Sequence, residues 1–182
     1  GKECPFRCLM CDLWKHTHPE PTPTGSLVHQ WHAVLPQIEH REIVKLYNAS
    51  NFFDPKAVPL GDLWELATQT RGFQRVVVEN HPKLLNQTIF EFNNIIQGNL
   101  EVAMGLETSD SAILKWLNKQ MTVDDYNEAC SKLLASKIGI RTFILLPAPG
   151  VPPATMTEHT IASVRHALNA GSDVVSLIPL RP

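Results

Sequence analysis

Short apolar runs alternate with amphipathic stretches along most of this 182-residue chain, and this alternation limits its fold more than any other feature. Apolar runs without polar alternation are typical of strands that are buried on both faces of a parallel sheet. Amphipathic helices between such strands favour right-handed βαβ units. We therefore predict an α/β fold with five strands, at residues 43–47, 76–78, 100–106, 140–146 and 174–178.

Five helices are predicted where apolar residues recur at a spacing of 3.6 residues. Ser26 is the expected N-cap of the first helix, and Pro36 is expected to bend or shorten that helix. Thr122 and Asp125 have the spacing of a capping box at the start of the fourth helix. The glycines expected to end the third, fourth and last helices are Gly98, Gly139 and Gly171.

Composition excludes several classes of protein. With 43% hydrophobic residues and a net charge of −2, the chain is too apolar and too balanced to be disordered. With 16 Lys and Arg against 18 Asp and Glu, it has no general basic field that would attract nucleic acid. No apolar run approaches the roughly 20 residues of a membrane span, and no segment at the start has the pattern of a signal peptide.

Three of the four cysteines, Cys4, Cys8 and Cys11, form a C-x3-C-x2-C motif. An odd number of thiols so close together favours metal chelation over disulfides. Thiolates select zinc, copper or iron–sulfur clusters. A structural zinc site usually has four protein ligands, so a zinc interpretation would need His16 or His18 as well. The fourth cysteine, Cys130, lies on an apolar helical stripe and is predicted to be a buried packing residue.

Three thiolates on a four-iron cluster would leave one iron without a protein ligand, which is the arrangement of a site that binds a substrate. The C-x3-C-x2-C motif near the start of an α/β chain resembles that of the radical SAM superfamily. The resemblance implies that Cys4, Cys8 and Cys11 bind a [4Fe-4S] cluster whose open iron binds S-adenosylmethionine. It implies a partial (β/α)6 barrel, with a first strand that precedes Gly1. Residues 1–182 would then be a core domain that is truncated at both ends.

The resemblance also implies cofactor-binding residues at the carboxyl ends of the strands. Met10 occupies a position that lies near the adenine in the superfamily. Asn48 and Ser50 replace the usual Gly-Gly-Glu motif that contacts the methionyl amino group, although both residues are also common in ordinary turns. Glu107, in the sequence Gly-Leu-Glu-Thr, would contact the ribose hydroxyls or the methionyl group, and the alternative is that it caps a helix. Arg181 is a candidate anion contact after the last strand.

The implied activity is reductive cleavage of S-adenosylmethionine to a 5′-deoxyadenosyl radical, which abstracts hydrogen from a substrate. Longer stretches resemble the archaeosine synthase radical SAM subunit and, more distantly, elongator and methylthiotransferase proteins; they are residues 11–14, 45–59 and 117–122. A tRNA base is therefore a candidate substrate, although the charge does not support it. An electron donor such as flavodoxin or ferredoxin and a cytoplasmic location are expected. The alternatives are a non-enzymatic electron-transfer module and a zinc-binding module.

Overall fold

The computed structural model describes residues 1–38 and 41–180, and the predicted α/β fold is confirmed within them. These residues form five strands in one sheet, whose order follows the chain. All five predicted strands are present, with bounds that differ from the predicted ones by one residue or two. The strands are β1 Ile43–Leu46, β2 Arg75–Glu79, β3 Leu100–Glu107, β4 Gly139–Leu146 and β5 Val174–Pro179.

Six α-helices and two short 3-10 helices lie before and between the strands in the described part of the chain. Both 3-10 helices and one α-helix, a helix of six residues that follows β3, were not predicted. No helix described here is both long and apolar enough to cross a membrane. The α-helices are α1 Ser26–Ile38, α2 Leu60–Gln69, α3 Gln87–Ile95, α4 Ser111–Trp116, α5 Val123–Ala135 and α6 Met156–Asn169, and the 3-10 helices are Leu13–His16 and Pro82–Leu84.

The strand pairs confirm the parallel arrangement that continuous apolar runs predict. β1 pairs with β2 in parallel, with Val44 opposite Val76, and β4 pairs with β5 in parallel, with Ile144 opposite Leu177. Every residue of β3 is buried except the half-buried Gly105. A strand that is buried on both faces does not need to alternate polar and apolar residues, and β3 is mostly apolar; its buried Glu101 pairs with Arg75 at 2.9 Å.

Contacts divide the chain into two compact units. The first unit consists of Gly1–Cys4, Asp12–Asn80 and Leu84–Val102. The second unit consists of Pro5–Cys11, His81–Lys83 and the chain from Ala103 onward. Arg181 lies outside the described residues.

In the first unit, a buried acid holds the start of α1. The Asp62 carboxylate accepts hydrogen bonds from the backbone N–H of Gly25 at 2.6 Å and of Leu27 at 3.0 Å. Asp62 is only 1% exposed, and it lies in the first turn of α2. Ser26 is the first residue of α1, so the prediction that it is the N-cap was wrong. The helix continues through Pro36 and ends two residues later.

In the second unit, α5 begins with the predicted capping box, which Thr122 and Asp125 form through reciprocal hydrogen bonds. The prediction that Gly139 ends this helix was wrong. The helix ends at Ala135, and Lys137 adopts the left-handed conformation, with a φ of 55°, that a glycine was expected to provide. Gly139 is instead the first residue of β4. Cys130 is fully buried in α5, as predicted.

Candidate functional site

A turn after β1 contains the first group of candidate residues. Asn51, which is 3% exposed, donates a hydrogen bond from its side-chain Nδ2 to the Sγ of Cys4 at 3.1 Å. The turn is anchored because the Phe52 N–H donates to the backbone oxygen of Glu79 at the end of β2, at 2.9 Å. Sequence reasoning missed Asn51, because an Asn in a polar turn is usually present for backbone reasons.

Two predicted residues of the same turn have polar atoms that need a partner. Both side-chain amide atoms of Asn48 and the hydroxyl oxygen of Ser50 are shielded from solvent and form no hydrogen bond with the described residues. Leaving a buried donor or acceptor unsatisfied typically costs about 1–3 kcal/mol. Such atoms are unusual in a folded protein, and a bound ligand is one of the ways in which they are satisfied. Their positions at the carboxyl end of a parallel strand fit that explanation.

The end of β2 adds an acid to the first unit. Glu79 is half-buried, and its carboxyl group has no hydrogen-bond or ion-pair partner among the described residues. Burial raises the pKa of Glu79 to about 7. The group can therefore change protonation state near neutral pH, which is a property that acids at functional sites often have.

The other two cysteines of the motif lie in a loop of the second unit. The Cys11 N–H donates to the backbone oxygen of Cys8 at 3.1 Å, so the two residues form a tight turn. The same loop is attached to the segment after α4 by a backbone hydrogen bond from Leu9 to Leu117 at 2.9 Å. All four cysteines are free thiols, and those of the motif are half-buried. Met10 is also half-buried, and its predicted contact with adenine stays a prediction.

A ring stack fixes the middle of the cysteine motif. The ring of Phe6 lies on the ring of His81, with centroids 3.8 Å apart and planes inclined by 16°. His81 Nδ1 accepts a hydrogen bond from the Lys83 N–H at 3.2 Å, and Nε2 lies 3.1 Å from the Lys119 backbone oxygen. A carbonyl can only accept, so Nε2 has the proton. Burial, aided by the charge of Lys119, lowers the pKa of His81 to about 3, and the ring is neutral.

The predicted residue Glu107 forms a buried ion pair. Its Oε1 lies 2.6 Å from the Nζ of Lys119, and both side chains are more than 90% buried. Glu107 has a φ of 67°, which is uncommon for a residue other than glycine. The alternative, that Glu107 caps a helix, is excluded because Asp110 caps α4 through the Ala112 and Ile113 N–H groups.

Gly105 makes room for this ion pair. A Cβ atom at position 105 would lie 2.7 Å from Lys119 Nζ and would overlap Oε1 of Glu107. Sequence reasoning found Glu107 because an acid at the end of an apolar strand is conspicuous. It missed Lys119, because a Lys in a polar connection is ordinarily solvated. A carboxylate expected to be buried was the one signal that could have prompted a search for a cation.

No group of three or more His, Cys, Asp or Glu side chains is arranged to bind a single metal ion in residues 1–38 and 41–180. The cysteine motif with His16 or His18, which the zinc interpretation needs, does not form such a group in these residues. The thiolates of an iron–sulfur cluster bind different irons, so they lie farther apart than the ligands of one ion.

No family model matches this chain, and no curated protein matches it. Solved structures of radical SAM enzymes do match, and they confirm the resemblance at the level of the fold. Coproporphyrinogen III oxidase (HemN) from Escherichia coli, described as a radical SAM enzyme, has a TM-score of 0.55 and 14% identity, over 88% of this chain and 39% of that chain. Methylornithine synthase (PylB) has a TM-score of 0.72 and 16% identity, over 99% of this chain and 51% of that chain.

The radical S-adenosylmethionine methyltransferase TsrM from Kitasatospora setae, solved with cobalamin and a [4Fe-4S] cluster, has a TM-score of 0.68 and 14% identity, over 99% of this chain and 36% of that chain. The chain thus spans between about a third and a half of these proteins. A lyase, the HMG-CoA lyase from Bacillus subtilis, also matches, with a TM-score of 0.53. Similarity at such low identity shows the fold only. The reaction has to be inferred from the residues of the site.

Proposed function

We propose that this chain is the core of a radical SAM enzyme, in which Cys4, Cys8 and Cys11 bind a [4Fe-4S] cluster. The observation on which the proposal depends is a C-x3-C-x2-C motif of free thiols in a chain whose fold matches solved radical SAM enzymes. The contact between Cys4 and Asn51 also fits a cluster, because thiolates that bind iron accept hydrogen bonds from nearby amides.

In this proposal, a cluster held by Cys4, Cys8 and Cys11 would supply the electron for reductive cleavage of S-adenosylmethionine to methionine and a 5′-deoxyadenosyl radical, and that radical would abstract hydrogen from a C–H bond of the substrate. The protein's own task is to bind and orient the nucleoside and to exclude water.

In this proposal, the unsatisfied atoms of Asn48 and Ser50 bind polar groups of S-adenosylmethionine. Glu107 binds hydroxyl groups of the ribose through Oε2, which accepts no hydrogen bond from the described residues. Lys119 pairs with the Glu107 carboxylate at Oε1, so this buried acid has a counter-charge. Met10 packs near the adenine.

The electron donor in this proposal is a small carrier such as flavodoxin or ferredoxin, and the expected oxygen sensitivity of the cluster favours a location in the reducing cytoplasm. The net charge of −2 gives no support to tRNA as the substrate, because binding tRNA relies on cationic contacts with phosphates.

Anaerobic reconstitution with ferrous iron and sulfide tests the proposal. We expect about four irons and four sulfides per chain and a change in the EPR spectrum of the reduced cluster when S-adenosylmethionine is added. Cys4→Ala, Cys8→Ala and Cys11→Ala should each abolish the cluster, whereas Cys130→Ala should retain it, because Cys130 is a packing residue in α5. A cluster that does not respond to S-adenosylmethionine would indicate an electron-transfer module. Zinc retained in air would indicate a zinc-binding module.

A further inference from the structure

We propose that Asn51 sets the reduction potential of the cluster through its hydrogen bond to Cys4, which makes it a positioning residue for the electron-transfer step. The inference rests on the proposed function, because it requires Cys4 to be a cluster ligand. It concerns only residues of the first unit and needs no contact with the substrate.

The geometry of the contact is that of a strong, fixed hydrogen bond. The distance from Asn51 Nδ2 to Cys4 Sγ is 3.1 Å, which is within the range even for an N–H···O bond, although sulfur is larger than oxygen. The amide is 3% exposed, so water competes little for its N–H groups. A contact of this kind keeps most of its electrostatic strength, because the surroundings have a low effective dielectric constant.

Neighbouring aromatic residues hold Asn51 in place. Phe52 and Phe53 follow it directly, and with Phe92 of α3 they form a cluster of edge-to-face rings, with centroids 5.2 to 5.6 Å apart. All three rings are at most 3% exposed. The Asp54 N–H also donates to the Asn51 backbone oxygen at 3.2 Å. The amide is therefore presented by a rigid, packed turn.

The sign of the effect follows from charge. Reduction adds one electron to the cluster and increases the negative charge on its sulfur ligands. A hydrogen bond to a ligand sulfur is then stronger in the reduced state, so it stabilises that state and raises the potential. Removing the bond should make the cluster harder to reduce. A tenfold change in the equilibrium constant of a one-electron couple corresponds to about 59 mV.

The test is a redox titration of the reconstituted 182-residue chain, followed by EPR in the absence of S-adenosylmethionine. Asn51→Leu keeps the approximate volume and removes the donor, and we expect a roughly tenfold decrease in the equilibrium constant for reduction, or about 59 mV. Asn51→Asp should lower the potential further, because its carboxylate cannot donate and adds negative charge. The matched control is Asn93→Leu.

Asn93 is a suitable control because it is also a buried asparagine whose side chain forms a hydrogen bond. It is 6% exposed, and its Oδ1 accepts a hydrogen bond from the Leu100 N–H at 3.3 Å, in the same unit. Asn93→Leu should therefore perturb folding about as much as Asn51→Leu does. A purely structural role for Asn51 predicts equal potentials in the two variants, which would overturn the inference.

A second measurement needs no variant that folds poorly. Wild-type protein labelled with ¹⁵N at the side-chain amides of its asparagines should show a ¹⁵N hyperfine coupling to the reduced cluster in pulsed EPR. Absence of the coupling in wild-type protein that has a full cluster would refute the inference and leave the proposed function intact. Failure of the wild-type chain to form any cluster would refute both.

Discussion

Lys119 Nζ lies 2.6 Å from Glu107 Oε1, and both side chains are more than 90% buried. Removing one partner of such a pair leaves a charge that is both buried and unpaired. The two residues are separated by α4 in the sequence, so the pair fixes the connection that follows β3. Its energetic role can be measured against an exposed pair in the same unit.

Lys119→Met should lower the free energy of unfolding by about 3–5 kcal/mol, because it leaves the Glu107 carboxylate without its cation. Glu107→Gln in the Lys119→Met background should recover part of the loss, since a neutral amide is easier to bury. Urea denaturation followed by circular dichroism gives both values. The control is Lys132→Met, which breaks an exposed pair with Glu128 at 2.6 Å and should cost less than about 0.5 kcal/mol. Equal losses in the buried and exposed pairs would contradict the prediction.

His81 should stay neutral throughout the physiological pH range. Burial lowers its pKa to about 3, and the Lys83 N–H and the Lys119 carbonyl select the tautomer that is protonated at Nε2. A ¹⁵N-resolved NMR titration from pH 8 to pH 5 should show Nε2 protonated, Nδ1 unprotonated and no change in either. A titration of His81 above pH 5 would rule out the buried stack with Phe6.

Glu79 should make the protein less stable as the pH rises. Burial raises its pKa from 4.5 to about 7, so the folded protein binds more protons than the unfolded protein between these values. The free energy of unfolding therefore falls from pH 4.5 to about 7 and then levels off. The loss is on the order of 3 kcal/mol.

Glu79→Gln should remove this pH-dependent term, because glutamine does not titrate. Comparing urea midpoints of wild type and variant at pH 5 and pH 8 isolates the term. Glu91→Gln, which changes an exposed acid on α3, should leave the wild-type dependence in place. A pH profile of Glu79→Gln that coincides with wild type would show that Glu79 is not the cause.

Asp62 should contribute to stability through its two hydrogen bonds to the backbone at the start of α1. Asp62→Ala removes both acceptors and should lower the free energy of unfolding by about 1–3 kcal/mol, as expected for hydrogen bonds to a charged group. Hydrogen exchange should locate the loss at the Gly25 and Leu27 amides. Asp124→Ala, an exposed acid in the first turn of α5, should change stability by less than about 0.5 kcal/mol. Unchanged exchange at Gly25 would argue against the capping role.

The strands could be predicted from the sequence, because strands that are buried on both faces of a sheet consist mostly of consecutive apolar residues. The capping box of Thr122 and Asp125 was equally readable, since both partners lie three residues apart. The group that caps the start of α1 could not be predicted, because Asp62 belongs to a different helix, 36 positions away from Ser26. A sequence pattern reveals contacts between residues that are close in the sequence, but it gives no sign of a helix cap that comes from a distant segment.

In the candidate site, too, some residues could be predicted from local sequence patterns and others could not. Cys4, Cys8 and Cys11 could be singled out because chelation requires a tight spacing of one residue type. Asn51 and Lys119 could not be singled out, because the contacts that distinguish them join residues that are distant in the sequence. Cys4 lies 47 residues from Asn51, and Glu107 lies 12 residues from Lys119. An Asn in a turn and a Lys in a connection are common, and only their contacts distinguish them.

The lack of a side chain at Gly105 has a consequence for the evolution of this fold. A side chain at position 105 would occupy the volume of the Glu107 carboxylate and approach the Lys119 ammonium. Relatives that replace this glycine should therefore have shorter or uncharged residues at the positions equivalent to 107 and 119. The three positions are expected to covary in natural sequences, and in randomised libraries selected for folding they should be recovered as a linked set.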